Sequence, residues 1–178
     1  MGYPLFLFII TFAEKRIMIR PMTVSDVSEI VAIYAHYVNN TVVTFDTEVP
    51  SETEMCQRLC PIMEHYPAWV YVEDGKIAGY CYAHKWKTKK AYRSTVETTI
   101  YLHPDYTGKG YGRLLMNRLI EDCRNRSFHA LVACITIPNE PSVKLHERLN
   151  FKQVSCFHEV GRKFKRWLDV ADYELILQ

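Results

Sequence analysis

Residues Val96–Leu102 read as a strand that runs through His103-Pro104-Asp105-Tyr106 into Thr107-Gly108-Lys109-Gly110-Tyr111-Gly112, and then into an amphipathic helix. No other stretch limits the possible folds and ligands so narrowly. Three alternating glycines at the mouth of a helix leave several backbone N–H groups bare and let a ligand approach the main chain closely. With the positive end of the helix dipole, those N–H groups form a site for a phosphate or pyrophosphate. The spacing departs from the dinucleotide fingerprint, because the third glycine comes one residue early. No Gly-Lys-Ser/Thr closes the loop, which sets it apart from a Walker loop. Glu97 sits upstream, on the strand that feeds the loop.

The rest of the chain fits one ordinary domain, since 178 residues bury a sizeable core. Apolar residues make up 48% and charged residues 24%, the usage of a soluble globular protein, and a net charge of +2 gives no general reason to expect nucleic acid. Cys56, Cys60, Cys81, Cys123, Cys134 and Cys156 show no CxxC pair and no His-rich metal spacing. We therefore expect no metal and a reducing, cytoplasmic compartment. Leu5–Ala13 is almost wholly apolar, but it is shorter than the about 20 residues that span a bilayer. It also lacks the basic start and small-residue cleavage site of a secretory signal, so no membrane association is expected. Residues 1–16 are read as an apolar extension, either an upstream translation start or a strand-like addition, ahead of a domain over 17–178.

Along that domain, Ile17–Arg20 reads as a short strand, and Thr23 or Ser25 caps a helix to about Tyr37. Ser51 and Glu54 form a capping box for a second helix that ends before Pro67. Trp69–Glu73 and Lys76–His84 are strands joined at Asp74-Gly75, a two-residue hairpin signal, and Ser94–Leu102 is a third. Leu115, Leu119, Ile120 and Cys123 recur at helical spacing within Tyr111–Arg126. Leu131–Ile137 is a fully apolar, central strand, Pro141–Leu149 a short helix, and Phe151–His158 and Val170–Leu177 closing strands. An antiparallel meander followed by a βαβ unit implies a single α/β domain around one sheet.

The glycine loop, with its flanking strand and helix, resembles the acetyl-CoA site of the GNAT superfamily of N-acetyltransferases. That family's Gln/Arg-x-x-Gly-x-Gly/Ala pattern falls on Thr107–Gly112, with Thr107 where Gln or Arg is usual. Thr95-Val96-Glu97-Thr98-Thr99-Ile100-Tyr101 is similar to the corresponding strand of one branch, the phosphinothricin and methionine sulfoximine acetyltransferases. The same branch is matched by Tyr34-x-x-Tyr37, by Lys87-x-Lys89-x-Ala91-Tyr92-Arg93 and by Trp167-Leu168-Asp169-Val170. The most selective match is Pro138-Asn139-Glu140-Pro141-Ser142-Val143-Lys144-Leu145-His146-Glu147. The resemblance implies a GNAT-type domain with a mixed, mostly antiparallel sheet flanked by helices.

It further implies acetyl-CoA as co-substrate, a small-molecule amine as acceptor, and a homodimer. The pyrophosphate would lie on the backbone N–H groups of Thr107, Gly108, Lys109, Gly110, Tyr111 and Gly112. The pantetheine arm would be held by Asn139, with Ser142 close by, and by backbone groups of Ile100, Tyr101 and Leu102. His146 would sit near the reacting centre, as a catalytic group or as a core histidine.

Acetyl transfer to an amine needs the amine neutral and the thioester carbonyl polarised. Glu97 is placed to take the proton, directly or through a water, although a strand glutamate is more often a solvated partner in a salt bridge. Lys85, Lys87, Lys89, Lys90 and Arg93, interleaved with Trp86 and Tyr92, read either as a solvated hairpin loop or as a weak nucleic-acid footprint. By resemblance, Lys87, Lys89 and Tyr92 meet the acceptor's carboxylate and its phosphinate or sulfoximine end. Lys89 stands where arginine is usual and so lacks the bidentate fork. Phe45, between the first two helices, closes the other side. The leading expectation is thus direct acetyl transfer to an amino-acid-like amine. The alternatives are a protein N-terminal or aminoacyl-tRNA acetyltransferase, and a non-catalytic acyl-CoA-binding module.

Overall fold

The structure, a computed structural model, describes residues 10–12 and 15–177. Strands β1 (Ile10–Phe12), β2 (Lys15–Pro21), β3 (Ala68–Glu73), β4 (Lys76–Lys85), β5 (Thr95–Leu102), β6 (Ala130–Ile137), β7 (Lys152–Lys163) and β8 (Arg166–Ile176) form one sheet. Its order is β1-β2-β3-β4-β5-β6-β8-β7, and of these pairs β5 and β6 alone run parallel. Helices α1 (Val27–Asn40) and α2 (Glu52–His65) pack on one face, and α3 (Tyr111–Asn125) and α4 (Glu140–Arg148) on the other. This is the expected single α/β domain with a mixed, mostly antiparallel sheet. Most of the apolar extension expected over residues 1–16 lies outside the described residues; within it, Ile10–Phe12 pairs antiparallel with Lys15–Ile17.

The local signals act as their chemistry requires. Ser51 Oγ accepts from the Glu54 N–H, and the Glu54 carboxylate accepts in return from the Ser51 N–H at 2.8 Å, so both ends of the capping box close. Asp74 and Gly75 both take positive φ, the backbone a two-residue hairpin demands. On α3, Leu115, Met116, Leu119 and Cys123 are fully buried against β3 and β4, and each such Leu or Met contributes about 1.5–3 kcal/mol.

Two expectations needed correction. The closing strands are longer than Phe151–His158 and Val170–Leu177, because they form one hairpin that turns at Phe164 and Lys165, both at positive φ. Neither residue is a usual turn former, so the sequence carried no turn signal there. The strand over residues 131–137 is flanked on both sides, as expected, but Cys134 in its middle is exposed.

That exposure exposes a half-open face. The core under α1 and α2 draws its sheet residues from β3 and β4, including Val70, Val72, Ile77 and Tyr80, and none from β6, β7 or β8. Strand alternation puts Val96, Ala133, Ala171 and Tyr173 in the opposite core. Glu97, Cys134 and Asp172 therefore share the face that α1 and α2 leave partly uncovered.

Candidate active site

The parallel ladder between β5 and β6 is short. It pairs Thr95, Val96 and Glu97 with Ala130, Leu131 and Val132, and then the two strands part. β5 stays paired with β4 as far as Leu102, and β6 with β8 as far as Ile137. Beyond Glu97, the backbone groups that the two strands turn toward each other therefore have no ladder partner, a costly state unless a ligand or water supplies one. A cavity of about 690 Å³ fills this wedge. Ile100, Tyr101 and Leu102 line one wall, and Asn139, Ser142 and Leu145 line the other.

The wedge ends at the glycine loop. Thr107, Gly108, Gly110 and Gly112 line the same cavity. Gly110 is the N-cap of α3 at φ +84, and Gly108 takes φ +73, so both need the left-handed backbone that glycine tolerates. A Cβ built at Gly110 meets no protein atom within 4 Å, which leaves the space above its backbone open for a ligand. Bare N–H groups, a helix N-terminus and a wedge of unpaired strand backbone fit a pyrophosphate joined to an amide-bearing arm.

Glu97 stands where β5 and β6 separate. Its carboxylate lines a second cavity, of about 230 Å³, that shares Ile100, Tyr101, Asn139 and Ser142 with the first. Burial raises the Glu97 carboxyl above its ordinary range; His84 opposes that shift and the charge of Asp172 adds to it. His84 Nε2 lies 3.8 Å from Glu97 Oε1, from the directly paired position on β4. A carboxylate of raised proton affinity, partly exposed beside a cavity, is suited to accept a proton near neutral pH.

His146 lines the same small cavity and is almost fully buried. Its Nδ1 lies 2.8 Å from the Ser142 carbonyl, so Nδ1 carries the proton and Nε2 is a bare acceptor without a hydrogen-bond partner. Burial lowers its pKa, so the ring is neutral at pH 7. Phe45 lines this cavity too, and its ring packs against Gly161 of β7 so closely that an added Cβ there would collide with it. Lys163, buried on the same strand, donates to the Thr44 carbonyl at 2.8 Å and ties the loop that carries Phe45 to the β7–β8 hairpin.

The structure thus gathers Glu97, His146, Phe45, Ile100, Tyr101, Leu102, Asn139, Ser142 and most of the glycine loop around two adjoining cavities. Two loop side chains turn elsewhere. Lys109 Nζ lies over the Tyr106 ring at 4.8 Å, and the Tyr111 hydroxyl donates to Glu73 at 3.0 Å, so these residues can serve a phosphate through their backbones. Asn139 caps α4 by accepting from the Ser142 N–H at 3.4 Å.

Lys87, Lys89 and Tyr92 line neither cavity. Lys87 Nζ instead sits 3.9 Å above the Trp86 ring and 5.4 Å from that of Tyr92. The segment that holds them starts where β4 ends, one register pair beyond His84 and Glu97.

Sequence reading passed over several groups. Arg113, Lys144 and Arg148 line the larger cavity; Lys144 pairs with Glu140 at 2.8 Å, so the two arginines bring the positive charge. Lys144 and Arg148 stand four apart on α4, a spacing that puts them on one face and that was legible only once the facing loop was known. The Tyr37 hydroxyl donates to the Leu102 carbonyl at 2.6 Å, and nothing in the sequence marked a contact across so many residues.

Comparison with known proteins agrees with this geometry. Residues 19–171 match the acetyltransferase (GNAT) domain. The chain is 38% identical to a phosphinothricin N-acetyltransferase of Streptomyces coelicolor, over 89% of this chain and 95% of that one. It is 35% identical to an L-methionine sulfoximine/L-methionine sulfone acetyltransferase of Salmonella typhimurium, over 94% of each. A GNAT superfamily phosphinothricin acetyltransferase from Sinorhizobium meliloti, crystallised with acetyl-CoA, superposes with a TM-score of 0.88 at 34% identity, over 90% of this chain and 88% of that one.

Proposed function

The chain belongs to the GNAT acetyltransferase family, and we propose that its acceptor is a small amino-acid-like amine of the phosphinothricin, methionine sulfoximine or methionine sulfone type. Acetyl-CoA is its co-substrate, and the acetyl thioester supplies the group to be transferred. The observation that carries the reading is the placement of Glu97 at the last ladder pair before β5 and β6 part, on the wall of the smaller cavity that adjoins the wedge.

Each step of the proposed transfer falls to this chain's own residues. Backbone N–H groups of the loop from Gly108 to Gly112 hold the pyrophosphate, the Thr107 N–H being spent on the Pro104 carbonyl, and Arg113 and Arg148 add positive charge. Asn139 and the backbone groups of Ile100–Leu102 that face the wedge, apart from the Leu102 carbonyl that accepts from Tyr37, orient the arm. Glu97 takes a proton from the acceptor's ammonium, directly or through a water, and frees the lone pair for attack. His146, neutral with a bare Nε2, offers a further acceptor beside the reacting atoms. The freed amine attacks the thioester carbonyl, and its N–C bond forms as the C–S bond breaks. The sulfur leaves as thiolate and takes the proton that the nitrogen sheds. No acyl-enzyme is needed, so transfer is direct. Lys87, Lys89 and Tyr92 are assigned to the acceptor's carboxylate and its phosphinate or sulfoximine end, which the start of their segment one register pair beyond His84 and Glu97 supports.

A homodimer is part of this reading. Val154, Phe157, Val160, Phe164 and Trp167, all in the β7–β8 hairpin, are each more than half exposed, an apolar surface suited to a second copy. A cytoplasmic location fits six cysteines that are all free thiols. Among the described residues no helix is long and apolar enough to cross a membrane.

The test is release of CoA thiol from acetyl-CoA against a panel of amines. Methionine sulfoximine, methionine sulfone or phosphinothricin should turn over well above a peptide N-terminus or an aminoacyl-tRNA. A preference for either of those macromolecules would overturn the substrate assignment, and no thiol release with any amine would leave a binding module.

A further inference from the structure

We propose that Asp172 is a second carboxylate of the acceptor site, one that draws the incoming ammonium onto the open sheet face beside Glu97. The proposal rests on the reading of this site as an N-acetyltransferase acceptor site. It starts from strand register. Asp172 of β8 is paired directly with Cys134 of β6 on one side and with Ser155 of β7 on the other. Cys134 lines the small cavity together with Glu97. Because directly paired residues point to the same face, Ser155, Asp172 and Cys134 form a row across the half of the sheet that α1 and α2 do not cover, and it ends at the small cavity one step along from the row that carries Glu97, Val132, Glu174 and Lys152.

Asp172 is held rather than free to swing. The Ser155 hydroxyl donates to its Oδ2 at 2.9 Å, and the Asp172 N–H donates back to Ser155 Oγ at 3.3 Å. Cys134, its direct partner on β6, stands beside the same carboxylate on the cavity side. Although Cys134 is open to solvent, the protein packed around its base and the two neighbouring carboxylates push that thiol up to about 12, so it stays protonated and neutral at physiological pH. Among the described residues no lysine or arginine forms an ion pair with either Glu97 or Asp172. The titratable and charged groups that share its face or its cavity are His84 and Tyr82 from β4, Tyr101 from β5, Cys134 from β6, His146 from α4, Lys152 from β7, and Asp172 and Glu174 from β8.

Three carboxylates on this face, Glu97, Asp172 and Glu174, against Lys152 at the far end of the row and the imidazole of His84, leave it short of positive charge. An acceptor amine arrives as an ammonium ion and supplies it. Asp172 then has two effects. It favours binding of the protonated amine, and its charge strengthens Glu97 as a base, since a neighbouring negative charge makes a carboxylate hold its proton more firmly. Neither effect requires Asp172 to exchange a proton, so it is a positioning residue and Glu97 remains the catalytic one. The same charges repel the acceptor's own carboxylate, which must turn away from β6 and β8 and toward the basic segment after β4.

The test compares wild type with Asp172→Asn, Asp172→Glu and Ser155→Ala, using whichever amine the acceptor panel shows to be the best substrate. Asp172→Asn keeps the shape and can still accept from Ser155, so the melting temperature should stay within a few degrees. KM for the amine should rise about 5- to 10-fold with acetyl-CoA affinity unchanged. The acidic limb of kcat/KM should move to lower pH by about one unit, because removing a like charge eases deprotonation of Glu97. Asp172→Glu should restore most of both effects, and Ser155→Ala should give part of the KM change. An unmoved acidic limb and an unchanged KM in Asp172→Asn would overturn the proposal while acetyltransferase activity stood. A fall in melting temperature with no shift in the pH profile would mark Asp172 as structural and would overturn it equally. If the best acceptor is an amine unrelated to methionine sulfone, the substrate assignment fails and the Asp172 comparison is read on that amine.

Discussion

Gly110→Ala separates what the loop does for the fold from what it does for the ligand. Gly110 takes φ +84, and a Cβ there touches nothing in the protein. The cost to the free protein is therefore conformational, about 1–2 kcal/mol for an L-residue forced into the left-handed region. In a chain of this size each kcal/mol lowers the melting temperature by about 2–4 °C. The ligand-bound state loses more. The new methyl group stands over the open side of the loop, where the pyrophosphate must approach the N–H groups. Loss of one hydrogen bond to a charged group costs about 1.5–3 kcal/mol, which is about 10- to 150-fold in Kd. Calorimetric titration with acetyl-CoA, beside a thermal melt of the unliganded protein, reads the two effects independently. A melt lowered by a few degrees with unchanged acetyl-CoA affinity would refute the loop as the phosphate cradle.

Other consequences follow from particular contacts. Arg148→Ala should weaken acetyl-CoA binding several-fold with little effect on the melt, and the loss should shrink at high salt, because a partly exposed charge is screened; calorimetry at two ionic strengths checks it. Asp26 is buried, which by itself pushes its carboxyl up, but the guanidinium of Arg20 at 2.7 Å and the hydroxyl and N–H of Thr23 together hold it below the ordinary range. A carboxyl so depressed adds stability above its unfolded-state pKa and loses that contribution as pH falls through the folded-state value. Asp26→Asn should therefore cost about 1–2 kcal/mol at pH 7, and the gap from wild type should close in melts taken below about pH 4. A gap that persists in acid would point to lost packing instead.

Much of this arrangement was legible in the sequence because local chemistry repeats along it. The alternating glycines specified Gly108 and Gly110 as left-handed positions, the Ser51–Glu54 pair marked a helix start, and Asp74-Gly75 marked a hairpin. The parting of β5 from β6 after Glu97 was not legible, since the gap between two strands depends on what both pack against. The turn at Phe164 and Lys165 escaped for a simpler reason: neither residue is one that turns favour. Long-range contacts such as Tyr37 with Leu102, or Lys163 with Thr44, join residues whose side chains carry no mark of their partners. The basic run at the end of β4 was the converse case, a conspicuous signal whose Lys87 is spent on Trp86.

Glu97→Gln tests the proposed chemistry most directly. The substitution keeps the shape at the head of the wedge and removes the proton acceptor. N-acetylated methionine sulfone, counted by mass spectrometry against CoA thiol released at pH 7, should form one to one in the wild type. In Glu97→Gln the rate should fall by about 10²–10⁴-fold, the usual contribution of a general base, with acetyl-CoA affinity unchanged. In the wild type, kcat/KM should rise with pH through a limb above the ordinary carboxylate range, where burial and Asp172 place the Glu97 carboxyl. A Glu97→Gln enzyme that works at nearly the wild-type rate would contradict Glu97 as the base.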